Sequence, residues 1–160
     1  MRPLRTLALL LVFAFGASTP ARADITGFLG ANTTPANRQV RGLALGAGLL
    51  IVGIEFEYAF TPDDPSATAP SLKTGMGNVL LQTPGSFSGV QPYFTTGGGL
   101  YRERLGARVD TSFGVNIGGG VKVTLIGPLR LRVDYRVFKL GSGALYSPAH
   151  RVYIGLNVKL

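Results

Sequence analysis

The sequence has no cysteine and no tryptophan, and His150 is its only histidine. Disulfide scaffolds, thiol nucleophiles, Cys-ligated zinc and iron–sulfur centres are therefore excluded. One His cannot build a multi-His metal site within a single chain, and no metal or cofactor is expected. Charge is sparse, at 15% of residues. Long apolar runs are also missing: past the N-terminal region the longest is Gly42 to Ile54, 13 residues of which four are Gly. A helical membrane span needs about 20. At 160 residues the chain has room for one domain.

The sequence is rich in glycine, with 23 residues, and basic, with 16 Lys and Arg against 8 Asp and Glu. Part of that excess sits at the start. Met1-Arg2-Pro3-Leu4-Arg5 is a short basic segment, Thr6 to Ala17 is rich in Leu, Ala and Phe, and Ala21-Arg22-Ala23 matches the small-x-small rule for signal cleavage. Residues 1–23 are expected to be a removed export signal, so that the mature domain is 24–160. Twelve apolar positions are too few for a membrane anchor. No Cys follows the cleavage point, so lipoprotein-type acylation is not expected. Without Arg2, Arg5 and Arg22 the balance is thirteen basic to eight acidic residues, or +5. An exported chain with that modest charge is not expected to bind nucleic acid.

The remainder alternates with period two. Leu129, Leu131, Val133, Tyr135 and Val137 fall on one face of an extended segment, and Arg130, Arg132, Asp134 and Arg136 fall on the other. Val152, Ile154, Leu156, Val158 and Leu160 likewise oppose Tyr153, Gly155, Asn157 and Lys159. Val52, Ile54, Phe56, Tyr58 and Phe60 oppose Gly53, Glu55, Glu57 and Ala59. From Ser112 to Leu125, Phe113, Val115, Ile117, Val121, Val123 and Leu125 oppose Gly114, Asn116, Gly118, Lys122 and Thr124. Weaker segments at 25–32, 40–48, 73–83 and 90–101 bring the count to eight strands. Odd-numbered connections (33–39, 61–72, 102–110 and 141–149) read as long and even ones as short. That alternation belongs to a transmembrane barrel with external loops and short periplasmic turns.

Periodicity does not say which face is wet. A soluble barrel or sandwich, such as a lipocalin-like periplasmic carrier, puts the oily face inside; a membrane barrel inverts it. Gly on the polar face, oily faces nearly free of charge, and aromatics towards strand ends (Tyr58, Phe60, Tyr101, Phe113, Phe138, Tyr146) favour the inverted order. These features predict an all-β fold: an eight-stranded antiparallel up-and-down transmembrane β-barrel. Phe113–Lys122 and Gly127–Phe138, with the eight alternating strands and export signal, resemble the outer-membrane β-barrel domain family, which includes the small OmpA/OmpX-like and opacity-type proteins. The resemblance covers 24–160 and implies outer-membrane lipid and lipopolysaccharide as surroundings. It also implies the barrel-assembly and periplasmic chaperone machinery as partners in biogenesis. Family members usually finish on an aromatic residue, where this chain has Leu160; no peptidoglycan-binding domain is expected after the barrel, so a cell-wall anchoring role is not implied.

With the oily faces in lipid, Glu55, Glu57, Lys122, Arg132, Asp134 and Arg136 point into a narrow lumen. Isolated charges there cost several kcal/mol, so Glu55 and Glu57 are expected to pair with Arg132, Arg136 or Lys122, giving a salt-bridge plug. A small, weakly anion-preferring pore is the alternative. Glu55 and Glu57 lie ~6.6–7 Å apart along a strand, a separation some glycosidase acid pairs use, although no cleft is implied. Ser147 and His150 lie where lipid A-modifying barrels carry a Ser/His pair, without a nearby carboxylate. Arg102, Arg104 and Arg108 form a basic segment suited to phosphate oxygens, and are candidates for lipopolysaccharide contact. Expected overall is a non-enzymatic outer-membrane protein with a structural and surface-interaction role.

Overall fold

The computed structural model describes residues 22–160; the export signal expected over 1–23 lies, but for its last two residues, outside the described residues. Eight strands form one closed sheet in the order of the chain: β1 (Arg22–Asn32), β2 (Arg38–Leu49), β3 (Val52–Thr61), β4 (Ser71–Gln82), β5 (Val90–Leu105), β6 (Arg108–Ile126), β7 (Leu129–Lys139) and β8 (Ala149–Lys159). Every neighbour is antiparallel, and β1 closes the barrel against β8 from Asp24↔Lys159 to Asn32↔Arg151. Closure leaves no unpaired strand edge, the condition for a sheet to sit in hydrocarbon.

The faces are inverted relative to a soluble protein. Leu43, Ile54 and Leu100 are 62%, 65% and 62% exposed on the outer wall, while Glu57, Arg132, Arg136 and Arg151 are fully buried inside. On β3 the outward apolar positions run from Val52 to Phe60, about 26 Å along the strand and about 20 Å along the axis at a usual barrel tilt. That is close to the height of a lipid-facing band. Val79, Phe94, Val115, Ile117, Ile154 and Leu156 continue the band round the wall.

Two of the aromatics assigned to strand ends on the lipid side are corrected. Tyr101 and Phe138 are buried in the lumen, packed with Leu72, Met76, Leu140 and Ala149 in an apolar cluster near the loop end. Tyr101 shares its parity with Tyr93 and Thr95, and Phe138 shares its parity with Arg136, so the alternation that defines the strands also places them inside. Tyr58 and Phe113 do face outward.

The connections depart from strict alternation. β2–β3 and β6–β7 are joined by two residues each, with Leu50 at φ 53 and Gly127 at φ 52. Connection 83–89 at the same end matches the segment 84–89 read from the sequence to within one residue, and it breaks the rule that even connections are short. The external segment 102–110 is not a loop: β5 and β6 run on as a hairpin and turn at Gly106-Ala107, where Gly106 has φ 58. Arg102 to Leu105 alternates like the strand before it, which lets the ladder continue to Leu105↔Arg108. The termini and even connections share one end; 33–37, 62–70, 106–107 and 140–148 form the other.

Candidate functional site

The lumen holds a continuous polar network. Arg132 sits at its centre, its guanidinium in two hydrogen bonds to Glu55, with Asp134 3.1 Å away. Arg136 donates to Glu55 at 2.9 Å and to Asp134 at 2.9 and 3.2 Å, and forms an ion pair with Glu57 at 3.1 Å. Arg151 donates to Glu57 at 2.9 Å, to Thr74 at 3.2 Å and to Asn32 at 3.3 Å. Two tyrosines tie the layers together. Tyr93 donates its hydroxyl proton to Asp134 and accepts from Arg132 Nε at 2.7 Å. The Tyr153 hydroxyl lies 3.1 Å from Asp134 and 3.4 Å from Glu57.

Three carboxylates (Glu55, Glu57, Asp134) thus face three guanidiniums (Arg132, Arg136, Arg151), and this middle layer has no net charge. Neutrality matters because an unpaired charge buried there would cost several kcal/mol. Planar guanidiniums suit this role, since each can fork to two acceptors. Arg132 also lies 4.9 Å from the Tyr93 ring centroid, and Arg151 4.3 Å from that of Phe138, within cation–π range.

Lys122 belongs to a different layer from the one expected. It pairs with Asp24 at 2.8 Å, as does Arg130 at 3.2 Å, near the turn end. Arg130 also donates to Asn157 at 2.8 Å and to Gln91 at 3.2 Å. A cavity of about 240 Å³ opens beside this layer, lined by Asp24, Gln82, Gln91, Lys122 and Lys159 among others. The other end is covered by the apolar cluster and by Arg38, which donates to the carbonyls of Thr34 (3.0 Å), Pro62 (3.3 Å) and Pro70 and so straps connections 33–37 and 62–70 together.

Sequence reasoning missed Arg151, Tyr93, Asp24 and Arg38 as members of this interior, and placed Tyr153 on the inward face without giving it a role there. Arg151 was within reach: Tyr153, Gly155 and Asn157 define the inward parity of β8, and one more step back is Arg151. Asp24 and Arg38 could not be found this way, because their partners depend on barrel closure and loop path.

No known protein-family profile matches the chain, and no curated protein does either. Solved structures do match. The N-terminal β-barrel domain of Pseudomonas aeruginosa OprF aligns with a TM-score of 0.67 at 15% identity, covering 88% of this chain and 100% of that one. Neisserial surface protein A aligns with a TM-score of 0.62 at 18% identity, covering 88% and 94%. The fold is that of the small OmpA/OmpX-like outer-membrane barrels. A third barrel of this kind, the outer-membrane enzyme PagL, aligns with a TM-score of 0.53 at 13% identity, over 86% of this chain and 99% of that one.

Since such barrels include an enzyme, the geometry at Ser147 and His150 matters. The Ser147 hydroxyl accepts the Leu140 N–H at 3.0 Å and lies 3.4 Å from its carbonyl. The His150 ring instead meets the Tyr135 hydroxyl, with 2.7 Å between Nδ1 and the oxygen. The barrel therefore engages the two side chains with different partners. Glu55 and Glu57, the other acid pair, are each committed to arginines.

Arg102 and Arg104 project from the outer wall of β5, and Arg108 lies across the turn, where it donates to the Gly143 carbonyl at 3.0 Å. The barrel's loop end has two further ties: Glu103 accepts the Leu145 N–H at 2.9 Å, and Tyr101 donates to Asp110 at 2.7 Å. In connection 62–70, Asp64 caps a short 3-10 turn over Pro65–Ala67 by accepting the Ser66 hydroxyl (2.5 Å) and the N–H groups of Ser66 and Ala67. The Ser66 hydroxyl, helped by those N–H groups, holds the Asp64 carboxyl below its ordinary range. A depressed carboxyl contributes order above its unfolded value and loses it as pH falls through the folded one. Amide exchange at Ser66 is therefore expected to be slowed at neutral pH and to lose that protection below the usual Asp range. Asp64→Ala should abolish the Ser66 protection at all pH values, whereas Ala67 keeps its bond to the residue-64 carbonyl at 3.2 Å.

Proposed function

We propose that this is an exported outer-membrane protein with a structural and surface-interaction role, its lumen closed by the arginine–carboxylate network. In this reading the signal is removed after Ala23, and periplasmic chaperones and the barrel-assembly machinery insert the mature chain. The exposed arginines Arg102, Arg104 and Arg108 contact phosphate groups of lipopolysaccharide, and the protein catalyses no reaction. The observation that carries the closed lumen is the neutral middle layer, in which Glu57, Arg132, Arg136 and Arg151 are fully buried and mutually bonded. Lipopolysaccharide contact is supported by the outward placement of Arg102 and Arg104 above an apolar wall.

Two experiments test these roles. Purified barrel in planar bilayers is expected to show no discrete conductance; regular channel openings would favour the small-pore reading instead. Replacing Arg102, Arg104 and Arg108 together with Ser is expected to reduce lipopolysaccharide co-purification, and unchanged co-purification would remove that contact from the account.

A further inference from the structure

Cross-strand register brings cations together that the sequence keeps far apart. Arg41 on β2 pairs with Phe60 on β3, Phe60 with Lys73 on β4, and Lys73 with Arg102 on β5. All four share the outward parity, so they form one row across the lipid-facing wall at the loop end. The Arg41 guanidinium and the Lys73 ammonium each lie 5.7 Å from the Phe60 ring centroid. Lys73 and Arg102 stand directly opposite one another, an arrangement that like charges disfavour. None of the ion pairs among the described residues involves Arg41, Lys73 or Arg102. The lumen matches charge with charge, whereas this row holds three cations and no carboxylate.

Below the row the wall is hollowed. Gly75 and Gly77 face outward on β4, with no atom within 4 Å of a Cβ added at Gly75 and only the Gly98 carbonyl, at 3.8 Å, near one at Gly77. Phe56 and Tyr58 form one bank of this groove and Leu100 the other, in a depression of about 500 Å³ with Lys73 and Arg102 at its head. A second depression, of about 480 Å³, lies across the Tyr58 ridge, lined by Gly42, Leu43 and Phe60 and headed by Arg41 and Lys73. From Lys73 to Gly77 the first groove descends about 13 Å along the strand, about 10 Å along the axis at the usual barrel tilt, against a leaflet of roughly 15 Å.

We propose that this wall is a binding site for one phosphorylated, multi-acyl glycolipid of the outer leaflet, the lipid A part of lipopolysaccharide. Its phosphates meet Arg41, Lys73 and Arg102, and its acyl chains lie in the two grooves on either side of Tyr58. Basic heads directly above paired apolar channels match a ligand whose phosphates sit directly above several chains. The proposal rests on the outer-membrane reading, and it moves the centre of lipopolysaccharide contact from the hairpin tip to the wall.

The test uses the full chain, folded in detergent, with bound lipid counted by native mass spectrometry. Bisphosphorylated lipid A, the same lipid stripped of its phosphates, and phosphatidylglycerol serve as probes. Retention of bisphosphorylated lipid A alone is expected; equal retention of phosphatidylglycerol or of the stripped lipid would overturn the assignment. Arg41→Ser with Lys73→Ser is expected to weaken lipid A binding on the order of thirtyfold, about fivefold for each cation near a charged membrane surface. Arg104→Ser with Arg108→Ser, at the hairpin tip and outside the row, should weaken it much less than the Arg41/Lys73 change does. Gly77→Leu, which fills the groove without altering charge, should also weaken binding, with the heat-dependent gel shift confirming that each variant is folded. If the Arg104/Arg108 variant loses lipid A while the Arg41/Lys73 variant keeps it, the wall site falls and hairpin-tip contact stands. If Gly77→Leu breaks an oligomer and leaves lipid binding intact, the groove is a subunit interface and the proposal fails.

Discussion

Replacing Glu55 and Glu57 together with Gln is expected to cause the largest loss of stability of any conservative change in this chain. The substitution leaves Asp134 as the one carboxylate facing Arg132, Arg136 and Arg151 in the middle layer. Breaking a buried pair by removing one partner costs about 3–5 kcal/mol, and two partners are removed here. The urea midpoint of the folded barrel should fall sharply, as should the temperature at which it loses its SDS-resistant mobility. A companion measurement separates charge balance from packing. Glu57→Gln alone strands Arg151, whereas Glu57→Gln combined with Arg151→Gln restores neutrality. The double variant is expected to be more stable than Glu57→Gln alone, the sign of coupling between residues in direct contact. If the two losses simply add, the network is not acting as a neutral unit.

The second large effect comes from glycine on the inner face. A Cβ at Gly118 would meet the Tyr135 carbonyl, Arg136 Cα at 2.9 Å and Arg136 Cγ at 2.8 Å. Backbone cannot move aside cheaply, and displacing Arg136 would disturb its contacts with Glu55, Glu57 and Asp134. Gly118→Ala is therefore expected to destabilise by about 1–3 kcal/mol, the usual range for overpacking an interior. Gly75→Ala is the matched control on the lipid face, where nothing lies within 4 Å. It should leave the urea midpoint almost unchanged. Equal effects at the two positions would mean that the inner wall is no more crowded than the outer.

How much of this could be read from the chain depends on which interactions are local. Strand parity is local: each inward residue of β7, from Arg130 to Phe138, follows from alternation alone. The same rule puts Tyr101 and Phe138 inside, against the habit of aromatics to gather at membrane interfaces. The β5–β6 hairpin misled for a different reason. Arg102, Glu103 and Arg104 look like a solvated loop, yet their side chains alternate out, in and out, and the ladder extends through them. Pairings such as Lys122 with Asp24, 98 positions apart, depend on how the barrel closes. No spacing rule within one strand reaches them. The basic row on the outer wall was hidden in the same way, because Arg41, Lys73 and Arg102 become neighbours only through the register of four strands.

Which face of the sheet meets lipid decides the lumen network and the wall site alike, and gel mobility tests it most directly. An outer-membrane fraction containing the protein is run in SDS with and without boiling. A closed membrane barrel resists SDS until heated, so the account predicts a boiling-dependent shift in that fraction. A periplasmic band with identical mobility before and after boiling would contradict it, and would remove the lumen network and the wall site along with the membrane assignment.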